Sequence, residues 1–291
     1  MSTPGVDKAP MKDDFLKTMR EFVLEGGQIA LAFMDKRTDS LKSDQSVITE
    51  ADKRISALAH AKLAPYLKQP GHVLLDEEDP KKANYLNQEF LEKTPYLWAM
   101  DPVDGTRLYA NQMPLFGVSL GLLKDLKPWL GMVYFPALKE LFYCDGEGSY
   151  FVQNAFLPDE KKVKIKPQDI EVTSKSLFLL SDLFFDDFSW DHESCRILIT
   201  ACAVTDVCWP AIGRGVGCFD QSHLWDFAGS WPIAQSAGLE FRNWKTGKVL
   251  DKVSEDSFKK VNGLWQLKDY HLLSTEKNFP VLKSKIRPLK S

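Results

Sequence analysis

The chain has 291 residues, room for one large domain or two smaller ones, and its 44% hydrophobic and 26% charged residues suit a globular protein. With 37 basic against 40 acidic residues the formal net charge is −3, so no overall basic field invites nucleic acid or an anionic membrane. The five cysteines are odd in number and contain no C-x-x-C pair, which excludes metal-finger and disulfide-framework readings and suits reduced thiols in a cytoplasmic protein.

Met1 to Ala9 carries Pro and Gly but no apolar stretch with a small-residue cleavage site, so residues 1–10 are expected to be a disordered lead-in and not a signal peptide. No apolar run approaches the roughly 18 residues of a membrane span. From Asp14 to Lys36, Phe15, Phe22, Val23, Ile29, Ala30 and Phe33 recur at mostly helical spacing, which predicts an amphipathic helix. Thr49 followed by Asp52 predicts a second helix, running to Ala64 and stopping before Pro65. Val73-Leu74-Leu75 then ends at Asp76-Glu77-Glu78-Asp79, and Tyr96 to Met100 ends at Asp101. Both runs predict buried strands that deliver carboxylates at their carboxyl ends.

Gly117–Leu123, Trp129–Phe135 and Leu141–Cys144, joined by Lys124-Asp125 and Pro136-Ala137, predict an antiparallel meander. Leu157 to Asp169, with Pro158 and Pro167, is the boundary candidate. Beyond it a Ser176–Leu180 strand, a helical Cys195–Ala203 region and a helical Leu224–Ala237 region stopped by Gly238 predict an α/β half. The division is therefore an N-terminal α+β half over 11–157, carrying most of the site, and a C-terminal α/β half over 158–291. The elements expected are paired helices, an antiparallel sheet and a second α/β half.

Asp101 and Asp104 flank Pro102 on one tight turn that continues into Gly105-Thr106. Two carboxylates so close repel, and the repulsion grows as water is removed. A hard divalent cation relieves it, because magnesium prefers carboxylate and carbonyl oxygen. On turn chemistry alone, an Asp-Pro-x-Asp-Gly surface turn explains the segment as well. Glu77 and Glu78 at the end of another strand, and Asp226 at a helix start, each have a plain explanation as solvated or dipole-facing acids. Together the three acidic sites are the inventory of a two-metal phosphoryl-transfer site. A Gly-Thr step opening a helix points N–H groups at an anion, and phosphate is a natural occupant; a simple threonine cap is the alternative.

Trp98 to Thr106 (Trp-Ala-Met-Asp-Pro-Val-Asp-Gly-Thr) resembles the first signature of the inositol monophosphatase family. Leu224-Trp225-Asp226-Phe227-Ala228-Gly229 through Ala237-Gly238 resembles its second. Glu77-Glu78 resembles the family's paired glutamates, and Val47 to Asp52 its Thr-Glu-Ala-Asp element. All four stand in the family's order, over Phe15 to Trp244.

The resemblance implies a layered αβαβα fold and a lithium-sensitive, Mg²⁺-dependent phosphomonoesterase, commonly a homodimer. Glu77, Asp101 and the Val103 carbonyl would hold a first ion. Asp101, Asp104 and Asp226 would hold a second, and a third would lie beside Asp52 and Glu77. In that scheme Glu77 and Thr106 orient an activated water for in-line attack, Asp52 supports Thr106, and the Gly105 and Thr106 amides bind phosphate. The substrate implied is an inositol-phosphate-like ester of a sugar, polyol or amino alcohol.

The substrate residues depart from the pattern. Thr106-Arg107-Leu108 replaces the Thr-Asn-Phe of inositol-specific members, and Arg107 resembles the histidinol-phosphate phosphatase branch, though Leu108-Tyr109 does not. Arg107 could reach a second anionic group or make a surface ion pair. The family's sugar-hydroxyl carboxylate falls at Asp220 only with a one-residue gap, and Ala201-Cys202-Ala203 lacks the usual glycine. Lys42 matches a basic position of the family. The five histidines show no ligand spacing, with His223 nearest a candidate acid. Three rivals stay open: a 3′-phosphoadenosine-type nucleotidase of the same superfamily, an aspartate-nucleophile phosphatase of the haloacid dehalogenase type, whose acids stand two apart and not three, and a non-catalytic relative.

Overall fold

The computed structural model describes residues 12–36, 40–41, 47–79, 89, 92–193, 195–261 and 264–289. The lead-in and Lys42 lie outside them. Helix α1 (Lys12–Phe33) begins two residues earlier than its periodicity suggested and buries Phe15, Met19, Phe22, Val23 and Ala30. It carries Gly26-Gly27 because it lies tight on the sheet beneath: a Cβ on Gly27 would stand 2.6 Å from the Tyr134 ring. After a short hairpin, β1 (Ser40–Leu41) with β2 (Val47–Ile48), helix α2 (Glu50–Leu67) starts at Thr49. Thr49 and Asp52 cap it reciprocally. Helix α2 does not stop before Pro65. It runs on to Leu67, where the buried Tyr66 packs edge-on to Phe15 and its hydroxyl meets Thr18 at 2.9 Å. That anchoring holds a last turn that proline leaves one hydrogen bond short.

The first sheet holds β3 (His72–Asp76), β4 (Tyr96–Asp104), β5 (Gly117–Lys124), β6 (Lys127–Phe135), β7 (Glu140–Cys144), β8 (Ser149–Gln153) and β9 (Lys161–Lys164), side by side in that order. From β4 onward it is the expected antiparallel meander, whereas β3 joins β4 in parallel with Asp76 opposite Met100. Parallel pairing puts the carboxyl ends of both strands on one edge, so Glu77 arrives beside Asp101. The short helix α3 (Thr106–Ala110) follows β4. Strand β9 falls within the Leu157–Asp169 stretch, and its four exposed residues, three of them lysine, protect a sheet edge.

The second sheet has the order β12-β10-β13-β17-β14, from β10 (Leu177–Leu180), β12 (Arg196–Ile199), β13 (Cys218–Asp220), β14 (Glu240–Asn243) and β17 (His271–Ser274). Around it lie helix α4 (Phe184–Asp187), strand β11 (Phe188–Trp190) paired with β18 (Ile286–Pro288), the hairpin of β15 (Phe258–Val261) and β16 (Leu264–Leu267), and helix α8 (Phe279–Lys283). Cys195–Ala203 is not helical. Its Arg196–Ile199 run pairs in parallel with Leu177–Leu180, and helix α5 (Ala203–Ala211) begins where the run ends. Nor is Leu224–Ala237 one helix. It divides into α6 (Leu224–Phe227) and α7 (Trp231–Ser236), breaking where Ala228 and Gly229 press on Gly121 and Gly131 of β5 and β6.

Three apolar cores separate the layers. One fills the space between α1, α2 and the first sheet, around Phe22, Trp98 and Leu120. The next joins the other face of that sheet to α5–α7 and the second sheet, around Phe135, Trp231 and Leu273. The last lies beyond the second sheet, around Phe178, Phe184 and Leu282. This is the αβαβα layering expected, with helices between the sheets.

Candidate active site

The site grows from the end of β4. Pairing with β5 is regular up to Asp101–Ser119 and resumes at Asp104–Gly117 after a register shift. Pro102 lies in that interval and has no N–H for the ladder, so the chain bulges there. The turn is tied internally: Val103 N–H donates to Asp101 Oδ1 at 3.0 Å, and the Thr106 hydroxyl donates to the Val103 carbonyl at 2.8 Å. Gly105 adopts φ 83°, and a Cβ there would lie 3.1 Å from the Leu115 carbonyl and 3.2 Å from Cys202 Cβ. Only glycine takes this corner without strain.

The turn places Asp101 and Asp104 almost out of solvent, at 3% and 7% exposure, with Asp52 of α2 fully buried nearby. Burial, then repulsion from Glu77, Asp104 and Asp226, pushes the Asp101 carboxyl well above the usual carboxylate range. Burial lifts Asp104 to about 7, against the backbone N–H of Val204, with Asp226 adding to the rise. Burial also lifts Asp52 to about 7, opposed by the Thr49 hydroxyl and reinforced by Glu77 and Glu78. Desolvation favours the neutral acids, and each neighbouring charge adds to that preference.

The structure thus brings Glu77, Asp104 and Asp226 within electrostatic reach of Asp101, and Glu77 within reach of Asp52 as well. Glu77 is half-buried at the end of β3 and its N–H donates to the Met100 carbonyl at 3.2 Å. Asp226 sits in α6, where its Oδ2 accepts the His223 N–H at 2.7 Å; the His223 ring stacks on Trp225. Burial draws the His223 imidazole down, but Asp226, Glu77 and Asp220 outweigh it and hold it above its ordinary value. Asp52 Oδ2 is taken by the Thr49 N–H and hydroxyl, and its Oδ1 has no hydrogen-bond partner among the described residues.

The residues expected to meet substrate, Arg107 and Asp220, lie on different elements. Arg107 is exposed and pairs with Asp182, just beyond β10, at 2.7 Å. Asp220 ends β13, its carboxylate accepting Gln221 N–H at 2.7 Å and the Ser222 hydroxyl. Burial, with Asp226 adding repulsion, raises its pKa in spite of those bonds.

One contact has no counterpart in the sequence reading. The Asp104 carboxylate accepts N–H groups of Ala203 and Val204 and the Cys202 thiol, at 3.1 Å, 2.5 Å and 3.3 Å. It thereby caps α5 from another element, since the cap residue Cys202 makes no such bond itself. Ala201, in the segment that lacks a glycine, takes φ 50° to make this entry. Buried Asp206 accepts the Thr200 hydroxyl and steadies the same corner. Only the run of small residues in Ala201-Cys202-Ala203 hinted at this close approach.

The donor set fits a hard divalent cation. It offers carboxylates that repel one another, a turn carbonyl, and an orphaned buried oxygen on Asp52. Among the described residues no three His, Cys, Asp or Glu side chains already close on a single point. The acids are neighbours but not a finished cage, in keeping with Asp104 being turned toward α5. Their mutual repulsion is the stronger indicator, because it falls when a cation enters.

The model of the inositol monophosphatase family matches residues 12–274. The chain is 28% identical over 221 residues to the 3′(2′),5′-bisphosphate nucleotidase CysQ of Salmonella typhimurium, covering 75% of this chain and 84% of that one. It is 27% identical over 172 residues to protein qutG of Emericella nidulans, covering 57% of this chain and 51% of that protein, so it spans about half the length of qutG. The inositol monophosphatase structure from Anabaena (Nostoc) sp. PCC 7120 superposes with a TM-score of 0.65 at 21% identity, covering 95% of this chain and 98% of the other.

Proposed function

We propose that this chain, which belongs to the inositol monophosphatase family, is a divalent-metal-dependent phosphatase acting on a small phosphomonoester. The observation that carries the reading is the buried set of acids at the ends of β3 and β4, where Asp101 is pushed upward by Glu77, Asp104 and Asp226. Glu77, Asp101 and the Val103 carbonyl would hold one Mg²⁺, and Asp101, Asp104 and Asp226 a second, with Asp52 facing a third. Bound there, such ions supply Lewis-acid polarisation of phosphoryl oxygens and a water of lowered pKa.

The protein's own groups do the rest. The Val103 carbonyl spends one lone pair on Thr106 and keeps the other. Thr106 is thereby fixed at the opening of α3, next to Gly105, where N–H groups can take the phosphate and the hydroxyl can orient an attacking water. Glu77 would accept a proton from that water, and Asp52, expected to support Thr106, would act through Glu77, since its carboxylate bonds Thr49 and Thr106 bonds Val103. Asp220 would accept a substrate hydroxyl. Arg107 would meet a second anionic group only by leaving Asp182.

The test is a panel of inositol phosphates, histidinol phosphate, fructose bisphosphate, adenosine 3′,5′-bisphosphate and glycerol phosphates, with and without Mg²⁺. Phosphate release should require the cation, decline with Li⁺ and vanish in Asp101→Asn. Release that survives chelation, or near-normal turnover in Asp101→Asn, would overturn the reading. The resemblance to CysQ and the position of Arg107 favour a bisphosphate nucleotidase as the second reading, decided by the same panel. A cytoplasmic homodimer completes the proposal. All five cysteines are free and buried, and no helix among the described residues is long and apolar enough to cross a membrane.

A further inference from the structure

Asp76 is a carboxylate without a place in the chemistry above, yet it has no exposed surface. A buried carboxylate is costly unless its oxygens are paired, and here they are. Oδ2 accepts the Ser56 hydroxyl and lies 3.2 Å from His60 Nε2. Oδ1 accepts the Glu78 N–H at 2.9 Å, and the Asp76 carbonyl accepts the Asp79 N–H at 3.2 Å. The carboxylate therefore joins two things. One is the turn Glu77-Glu78-Asp79; the other is a face of α2.

That face is defined by spacing. Asp52, Ser56 and His60 stand at i, i+4 and i+8, one above the other on a helix. The turn of helix that aims Asp52 at the site is followed by the two turns that grip Asp76. Strand pairing holds the turn from its other side, through Glu77 N–H on the Met100 carbonyl. An ordinary strand-to-loop turn needs only its own Asx bond to Glu78. The clasp from α2 goes beyond that, and it fixes Glu77 relative to both Asp52 and Asp101.

We propose that Asp76, clasped by Ser56 and His60, is a positioning residue that holds Glu77 in register with Asp52 and Asp101 and so sets how tightly the acid cluster takes a divalent cation. This rests on the phosphatase reading. Its role resembles that of groups behind metal ligands, whose loss costs about 10–100-fold in affinity.

The experiment titrates the full-length protein with Mg²⁺ alone by calorimetry, and follows melting in EDTA and the Mg²⁺ dependence of turnover. Ser56→Ala and Asp76→Ala should weaken Mg²⁺ binding by about tenfold or more. At saturating Mg²⁺, kcat should recover toward the wild-type value. His60→Gln, which keeps a donor, should bind Mg²⁺ more tightly than His60→Ala. If Asp76→Ala does not fold, the Ser56 and His60 variants carry the test. Folded variants that melt lower in EDTA but bind Mg²⁺ like wild type would reduce the clasp to a structural turn and overturn the inference. A wild-type protein that neither binds Mg²⁺ nor releases phosphate would instead remove the phosphatase reading and this inference together, and that failure is visible before any variant is made.

Discussion

Asp52→Asn tests how much strain the acid cluster places on the metal-free fold. Burial, with Glu77 and Glu78 behind it, raises the Asp52 carboxyl from 3.8 to about 7. The folded state therefore binds this proton more tightly than the unfolded chain, and stability falls as pH rises from 3.8 toward about 7. A difference of about three pH units corresponds to roughly 4 kcal/mol of stability, fully present below the unfolded value and fully lost above the folded one. The amide removes the charge and keeps an oxygen for Thr49, but it leaves an NH₂ at the position of the unpartnered Oδ1. That group costs about 1–3 kcal/mol at any pH. The diagnostic quantity is therefore the swing with pH. Relative to wild type, the variant should gain roughly 2–4 kcal/mol between about pH 4.5 and pH 8. Urea unfolding in EDTA, followed by tryptophan fluorescence, reads this from the midpoint at constant slope. A variant-minus-wild-type difference that is equal at the two pH values would refute the reasoning. Adding Mg²⁺ at about pH 8 should stabilise wild type more than the variant, because the cation binds only the folded acid cluster.

Four further outcomes follow, at two glycine-related positions and one ion pair. Gly105→Ala forces a side chain into φ 83° and against the Leu115 carbonyl, so it should destabilise by about 1–3 kcal/mol, read as a lower urea midpoint. Ala201→Gly relieves φ 50° and should add up to about 1 kcal/mol of stability, read as a higher urea midpoint; a fall would mean that the methyl group packs more than the backbone strains. A double-mutant cycle of Arg107→Ala and Asp182→Ala should give a coupling of about 0–1 kcal/mol in stability, since both side chains meet water. In the same pair, Asp182→Ala should lower KM for bisphosphates relative to monophosphates. An unchanged ratio would show that Arg107 does not meet the substrate.

Local chemistry made much of this protein readable. The apolar runs of β3 and β4 end at acids, Thr49 and Asp52 spell a capping box, and Gly105 marks a corner that only glycine takes easily. Each of these is settled within a few residues, so order and spacing along the chain put acids at strand and helix ends, while the layered fold was read from the family resemblance that those motifs carry. What the chain alone left open depends on contacts between distant segments. The parallel register of Asp76 against Met100 decides that Glu77 meets Asp101. Asp104 caps a helix about a hundred residues away, and Arg107 finds Asp182 just beyond β10. Ser56 and His60 close on Asp76 only because α2 runs antiparallel along β3, with Ser56 at Asp76 and Tyr66 stacked on His72. The same distance effect undid the local readings: Tyr66 in the core carries α2 past Pro65, and the close approach of Gly229 to Gly131 breaks the helix expected over Leu224–Ala237. A carboxylate's neighbours along the chain announce that it is acidic; its pKa and partners are set by whichever groups the fold packs around it.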